Sequence, residues 1–264
     1  EQTGQMRIEY QYIIDIANDE SIWNLSHETL QSATPAKRKE VIICLLDQFR
    51  QNLALDTHEL NRIHHDELIR KSRSQLIEPW AILDEESLSR SKRVVSRPAR
   101  DFTRNERSSL HPITGRSRFG LWMGRELVLN LPMVERQDVI EYIMELLATH
   151  GVLEREDCGD FGAYRLKQSS MRWKIGNGTP YVDATRLTAS ENLDSRGNKY
   201  FMALYDEALE DKVWTIFAHE HTAQVPMGLR EEREKNFRSG VLPLLYCSPT
   251  MELGIDISDL NIVA

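Results

Sequence analysis

The chain has 264 residues, of which 41% are hydrophobic and 28% are charged, and its formal net charge at pH 7 is −8. This composition is ordinary for a globular protein and supplies enough apolar material for a core. The negative charge argues against a protein that coats DNA through its overall field, so any nucleic-acid contact has to come from a local basic patch.

No apolar run approaches the ~20 residues that a membrane-spanning helix needs, and the opening Glu1-Gln2-Thr3-Gly4 is no signal peptide. The cysteines Cys44, Cys158 and Cys247 lie far apart in the sequence and form no C-x-x-C pair. We therefore expect no membrane contact, no disulfide scaffold and no zinc ribbon. A reducing cytoplasm is the expected location.

The first predicted region, residues 1–86, is helical and forms an insert region. Ser26 and Thr34 are candidate N-caps, because their hydroxyls can accept a hydrogen bond from the first helical turn. Pro35 lies at the first helical position, where its missing N–H costs nothing. Apolar side chains then recur at helical spacing and predict an amphipathic helix over about 35–54.

A second helix is predicted over about 57–76, and the character of the sequence changes after it. Residues 87–116 lose apolar periodicity and are interrupted by Pro98, which predicts a basic linker. A solvated loop and a phosphate-contacting loop are both open for this segment. The candidate nucleic-acid contacts in it are Arg93, Arg97 and Arg100.

Residues 117–190 are predicted to form a winged-helix-like domain. A helix around 119–128 precedes a longer helix with an apolar stripe, which ends at Gly151, a residue that commonly follows a helix. Two short strand-like runs come next, at 152–155 and 163–166, with a turn-rich stretch between them. Helices followed by a β-hairpin are the order of a winged-helix domain, although a helix plus a hairpin is also common elsewhere.

The last region, residues 191–264, alternates strands and helices. A buried strand is predicted over 213–218, a charged helix over 229–237 and a second strand over 242–247. Strand, helix and strand at this spacing predict a βαβ unit in a mostly parallel sheet. The sequence stops inside a further apolar run at 260–264, so we expect the chain to be a piece of a longer protein. The predicted fold class is mixed α/β.

The most informative stretch follows the charged helix. Arg230 to Gly240 is succeeded by an apolar strand and then by Ser248-Pro249-Thr250-Met251-Glu252-Leu253-Gly254-Ile255-Asp256-Ile257. A buried strand that ends in Ser-Pro-Thr presents hydroxyl and N–H groups at the carboxyl edge of a parallel sheet, where ligands bind. Gly254 lets the backbone approach a partner closely, and Asp256 places a carboxylate beside it.

This pattern resembles the motif V region of the second RecA-like domain in superfamily 2 DEAD/DEAH-box helicases. The family order is Arg, Phe and Gly, an apolar strand, Thr, and then Glu-Leu-Gly-Ile-Asp-Ile. His221-Thr222 lies where that domain usually has a His-Gly pair, so the close approach that the glycine allows is not implied here. The sequences of residues 220–225 and 247–254 also resemble those of long bacterial helicases such as the helicase subunit of DISARM-type phage-defence systems.

The resemblance implies roles for particular residues and a partial RecA-like domain at 191–264. Thr250, with Ser248, would contact the nucleic-acid backbone, while Gly254 and Asp256 would face a nucleotide bound between two motor domains. ATP and Mg²⁺ are implied for the complete helicase, and none is expected to bind this chain alone. The implied partners are nucleic acid (DNA rather than RNA), the remainder of the helicase chain and other defence-system subunits.

Several motifs that catalysis would need are missing. The sequence contains no G-x-x-x-x-G-K-[ST] P-loop and no paired-arginine motif after motif V. Asp84-Glu85-Glu86 imitates a Walker B box, but Pro79 precedes it and no long buried strand leads into it. We therefore expect no catalytic residue here and no ATP hydrolysis by this chain alone. His64-His65-Asp66-Glu67 and His219-Glu220-His221 lack a third ligand at recognisable spacing, so no metal is expected.

Two other functions of the chain remain open beside the helicase, and a plainer interpretation applies to Arg230 alone. The main alternative is a non-enzymatic DNA-binding or adaptor module built on the winged helix. For Arg230 alone, an ion pair with Glu234 at i,i+4 competes with any functional role. A free-standing hydrolase has the least support, because the sequence offers no Ser/His/Asp or Cys/His constellation.

Overall fold

The computed structural model describes residues 1, 3–24, 26–77, 80–84, 86–127, 131–159, 161–186, 199–208, 218–222 and 224–247. These residues form a mixed α/β fold, and the chain divides into two units, Glu1–Asn198 and Lys199–Ala264. None of the helices in the described ranges has the length and apolar character that crossing a bilayer requires.

The long helices that the sequence predicts are present in the first unit. However, Met6–Tyr10 and Leu55–Asp56, within the region predicted as helical, form strands, and Arg104–Arg107, within the predicted linker, forms a helix. The helices of this unit are α1 (Ile13–Asn18), α2 (Glu20–Trp23), α3 (Glu28–Ser32), α4 (Pro35–Gln51), α5 (Arg62–Gln75), α6 (Arg104–Arg107), α7 (Arg118–Leu127) and α8 (Met133–Thr149). The start of α4 is confirmed, because Thr34 accepts a hydrogen bond from the Lys37 N–H at 3.3 Å and Pro35 opens the helix. Gly151 follows α8 with a φ of 74°, a left-handed conformation that favours glycine.

The cap of α3 differs from the prediction. Ser26 does not cap it, since its hydroxyl donates to the carbonyl oxygen of Trp23 at 2.6 Å. The helix begins one residue later, and Nδ1 of His27 accepts the hydrogen bond from the Thr29 N–H. The Ser26 hydroxyl therefore closes the turn after α2 and is not available to the next helix.

The strands of the first unit are β1 (Met6–Tyr10), β2 (Leu55–Asp56), β3 (Arg93–Val95), β4 (Leu110–Pro112), β5 (Leu153–Cys158), β6 (Phe161–Lys167) and β7 (Met171–Ile175). Strand β6 is the centre of a five-stranded sheet. Along one edge it pairs with β5, which confirms the predicted hairpin, and along the other it pairs with β2 and β3. Strand β4 continues the sheet parallel to β3, while β1 and β7 form a separate antiparallel ribbon.

The segment predicted as a basic linker, residues 87–116, supplies two strands of this sheet. Val94 and Val95 of β3 are fully buried, with β6 on one side and β4 on the other. Only two consecutive valines mark this strand in the sequence, and arginines surround them. A strand of three residues is too short to produce a detectable alternation of apolar and polar positions.

A large core and a smaller apolar cluster of Val95, Phe102, Leu110 and Ala163 hold the first unit together. The fully buried side chains of the large core include Phe49 of α4, Val94 of β3, Phe119 of α7, Ile143 of α8 and Leu166 of β6, each at most 1% exposed. These positions come from all three regions that the sequence suggests as separate domains within 1–190. The suggested boundaries between those domains stay predictions.

The second unit contains α9 (Lys199–Ala208), β8 (Ala218–His221), α10 (Met227–Arg238) and β9 (Leu244–Cys247). Strands β8 and β9 pair in parallel, so the predicted βαβ unit is confirmed. Of the first predicted strand, 213–218, only Ala218 lies within the described residues, and β8 continues from it to His221. Two parallel strands need a crossover connection between them, and the charged helix α10 is that connection.

Candidate nucleic-acid interface

The two sequence segments that resemble helicase motifs begin in the last residues of β8 and β9. The register pairs His221 with Cys247, which are the last residues of the two strands. Thr222 therefore follows one strand, and Ser248 follows the other, at the carboxyl end of a parallel pair. In open α/β sheets this is the edge at which ligands bind.

The predicted contact residues come after β9 in the sequence. Ser248, Thr250, Gly254 and Asp256 are outside the described residues, so their proposed contacts rest on the sequence motif alone. The structure describes the strand that leads to them and the neighbouring strand with which it pairs.

Helix α10 is fastened to β8 by a buried arginine. Arg233 is 9% exposed, and its Nη1 donates to the carbonyl oxygen of Glu220 at 2.9 Å. His221 is also buried, with Nε2 3.9 Å from a carboxylate oxygen of Glu234. Nδ1 of His221 has no hydrogen-bond partner in the part of the chain that the structure describes. These contacts fix the helix against the edge that carries His221.

The ion pair suggested for Arg230 and Glu234 is not formed. Glu234 instead pairs with Arg238 at 2.5 Å, one turn further along α10. Glutamate placed four residues before a basic side chain is the more favourable order on a helix, and the pair with Arg230 would have the reverse order. Nε of Arg230 is buried without a hydrogen-bond partner among the described residues.

The three arginines suggested as phosphate contacts differ in their contacts with other residues of the protein and in their exposure. Arg93 donates from Nη1 to Glu156 of β5 at 2.9 Å. The guanidinium of Arg97 lies over the ring of Phe161, 5.3 Å from its centroid. Arg100 has a side chain that is 80% exposed and lies 3.7 Å from Asp101. Of the three, Arg100 is therefore the one most accessible to an external phosphate.

The helix that precedes the β5–β6 hairpin has an acidic outer face. In α8 the exposed positions include Asp138, Glu141 and Glu145, while its buried positions face the core. In a winged-helix protein the helix before the hairpin enters the major groove, where its side chains meet phosphates and base edges. Asp138 and Glu141 would repel the DNA backbone, whereas the charge of Glu145 is paired with Arg155 of β5 at 3.0 Å.

The acidic run that imitates a Walker B box is not at the end of a strand. Asp84 forms an ion pair with Arg73 of α5 at 2.7 Å, and Glu86 accepts a hydrogen bond from the Leu83 N–H at 2.8 Å. Residues 80–84 and 86–90 contain no strand in the described structure. The surface contacts of these acids explain their presence without a bound magnesium ion.

A polar network near the start of the chain was missed by sequence reasoning. The Tyr10 hydroxyl of β1 donates to Asp47 of α4 at 2.5 Å, and Arg50 donates to the same carboxylate oxygen at 3.1 Å. Burial raises the pKa of the Tyr10 hydroxyl, so this group stays protonated. Burial likewise raises the pKa of the nearby Cys44 thiol, which makes it a poor nucleophile. The network fastens β1 to α4.

No protein-family model matches the sequence, no curated protein matches it, and no solved structure matches the chain. The class of protein is therefore defined by fold and site alone. It is a mixed α/β protein whose second unit contains a parallel β–α–β element.

Proposed function

We propose that this chain is part of an ATP-dependent helicase of superfamily 2, in which Lys199–Ala264 contributes motif V of the second RecA-like domain. The observation that carries the proposal is the parallel pairing of β8 and β9 across α10. Strand β9 ends at Cys247, directly before the stretch that contains Thr250, Gly254 and Asp256. The motif and the local topology thus agree.

The exposure of β9 supports a larger α/β domain around this element. Leu244 is 41% exposed and Tyr246 is 63% exposed, and because residues two apart in a strand share a face, one face of β9 carries accessible apolar surface. Parallel strands are normally covered on both faces by helices and neighbouring strands. A complete RecA-like domain would supply that cover from the remainder of the helicase chain.

In this proposal the chain positions nucleic acid and does not hydrolyse ATP alone. Thr250 and Ser248 bind the nucleic-acid backbone, and Gly254 and Asp256 face the ATP that binds with Mg²⁺ between two motor domains. The sequence has no P-loop, so the residues present do not fit a triphosphate by themselves. The complete enzyme acts on DNA in the cytoplasm, with other defence-system subunits as its partners.

A non-enzymatic winged-helix module is the second candidate function. The order α7, α8, β5 and β6 in the first unit favours it. The acidic outer face of α8 weighs against DNA binding in the usual winged-helix manner, because phosphates are repelled by Asp138 and Glu141. This element fits an adaptor role within the helicase better than a groove-binding role.

Oligonucleotide binding by the chain itself tests the proposal. Thr250→Ala should weaken binding of a fluorescent single-stranded oligonucleotide by about tenfold, because a hydrogen bond to a charged phosphate contributes roughly 1.5–3 kcal/mol. Thr149→Ala, the same substitution on the exposed end of α8, is the matched control and should leave binding unchanged. Equal loss in both variants, or no loss in Thr250→Ala, would count against the proposal.

A further inference from the structure

Two histidines and a glutamate come together where α5 begins. His58 lies on a 3-10 turn, His58–Leu60, and His64 and Glu67 lie on the first two turns of α5. One potential ligand atom from each side chain lies within 4.8 Å of the other two. His64 and Glu67 are three residues apart, a spacing that places both on one face of a helix. The third side chain comes from the turn before it.

The two imidazole rings are free to bind a ligand. They stack with their centroids 3.7 Å apart and an angle of 18° between the ring planes, and since the nitrogen lone pairs lie in those planes, the rings must turn out of this stack to bind one ion together. Neither ring makes a hydrogen bond to any of the described residues. His27 and His150 differ, because Nδ1 of each is hydrogen-bonded to a group on its own helix. The nitrogens of His58 and His64 thus have no competing structural role.

We propose that His58, His64 and Glu67 bind one divalent transition-metal ion of the zinc class. Imidazole nitrogen suits zinc, nickel and copper, whereas calcium and magnesium prefer sites made of oxygen atoms alone. Zinc holds such ligands at about 2.0–2.2 Å in a tetrahedron, so the donor atoms close to roughly 3.4 Å from one another. Three protein ligands leave the fourth position to water, and exposed His58 gives the ion access from solvent.

The present partner of Glu67 does not prevent this binding. Its carboxylate pairs with Lys71 at 2.7 Å, and the side chains are 42% and 59% exposed. Exposed ion pairs of this kind contribute little to stability. A metal ion that accepts three ligands at once therefore displaces Lys71 readily.

The ion would stabilise a helix that has little other support. Of the fourteen residues of α5, only His65 is buried. Isolated helices of about this length are marginal in water. Metal bound to His58 joins the preceding turn to the first two turns of α5, and binding to the folded state alone raises its stability.

Zinc titration of the chain, produced without a histidine tag, tests the site. Isothermal titration should detect one equivalent of Zn²⁺, with at least about tenfold weaker affinity in His58→Ala, in His64→Ala and in Glu67→Gln, as loss of a ligand predicts. Asp66→Asn, an exposed acid of the same helix outside the group, is the control and should bind as the wild type does. Zn²⁺ should also slow amide hydrogen exchange over residues 58–75.

Cobalt gives a second measurement that reports coordination directly. Co²⁺ should produce visible absorption bands of a nitrogen- and oxygen-ligated ion in the wild type and in Asp66→Asn, and the bands should be lost in the three ligand variants. Circular dichroism without metal verifies that each variant retains its helices. Zinc binding that His58→Ala and His64→Ala leave unchanged, or the absence of stoichiometric binding in the wild type, would overturn the proposal.

Discussion

Helices α4 and α8 of the first unit each bury a row of apolar side chains, and both rows belong to the same large core. In the second unit, α10 has twelve residues, and Arg233 is its only buried residue. Strand β9 next to it leaves Leu244 and Tyr246 accessible. The first unit is thus stabilised by its own core, whereas the described part of the second has little apolar surface buried.

This difference indicates what each unit is built to do. A region that buries its apolar side chains completely has the core of an independently stable domain. A parallel strand with an accessible apolar face has the surface of an element that another layer covers. The comparison is what the proposed helicase domain would require.

Replacing one leucine by alanine in each unit should give the largest difference in unfolding free energy between the two units. Leu45→Ala removes a fully buried side chain of α4 and should cost about 2–5 kcal/mol of unfolding free energy. Leu244→Ala removes a side chain that is 41% exposed in β9 and should cost less than about 1 kcal/mol. Urea denaturation followed by circular dichroism measures both. Similar costs would remove the proposed distinction between the units.

Replacing glycine by alanine should change the stability in opposite directions at Gly120 and at Gly228. In α7 a Cβ on Gly120 would lie 2.3 Å from the carbonyl oxygen of Thr114, so Gly120→Ala should destabilise by about 1–3 kcal/mol. In α10 no described atom lies within 4 Å of a Cβ built on Gly228. Gly228→Ala should therefore stabilise, by up to about 1 kcal/mol, because alanine favours the helix.

Thermal unfolding of the two alanine variants beside the wild type measures these shifts. A destabilising Gly228→Ala would indicate that α10 is packed as tightly as α7. If Gly120→Ala left the stability unchanged, the backbone at Thr114 would have to shift at little cost. Either result would weaken the contrast between the two units.

The smallest expected effect is a pH dependence that belongs to the first unit. Burial, and to a lesser extent the charge of Lys92, lowers the pKa of His111 on β4 below its ordinary value of 6.5. The unfolded chain then binds a proton at a pH where the folded chain does not. The contribution of neutral His111 to the free energy of unfolding is therefore present above pH 6.5. It is lost as the pH falls through that value toward the lower pKa of the folded state.

His111→Gln should remove this component. Between about pH 7.5 and pH 5.5 the variant should lose less unfolding free energy than the wild type, because only the wild type has the titrating group. Urea midpoints at the two pH values measure the difference. Parallel losses in both proteins would show that His111 titrates alike in the folded and unfolded states.

Long helices and the βαβ order could be predicted from the sequence because each has a period or a sequence of elements to detect. Helix α4 has an apolar stripe and a Thr34–Pro35 start, and the prediction was wrong only at its end, by three residues. Strand β3 has two buried valines and no period, so its place within the sheet depends on tertiary pairing with β6 and β4. Such pairing leaves no local signal.

The candidate sites show the same limit. Charge alone singled out Arg93, but charge does not distinguish a phosphate contact from an ion pair with Glu156. From the sequence, no metal was expected at His64-His65-Asp66-Glu67 because a third ligand was missing, and His58 comes close to His64 and Glu67 only through the fold. Thr250 and Asp256 were recognised by motif, and their geometry lies outside the described residues.

Mapping where nucleic acid contacts the chain tests the central claim most directly. A single-stranded oligonucleotide with photoreactive thymidines, crosslinked to the whole chain and analysed by mass spectrometry, identifies the contacted peptides. The helicase proposal predicts crosslinks within 248–256, at the edge that β8 and β9 share, because backbone contacts position the strand there. Crosslinks confined to α8 and the β5–β6 hairpin, with none in 248–256, would contradict it and favour the winged-helix module.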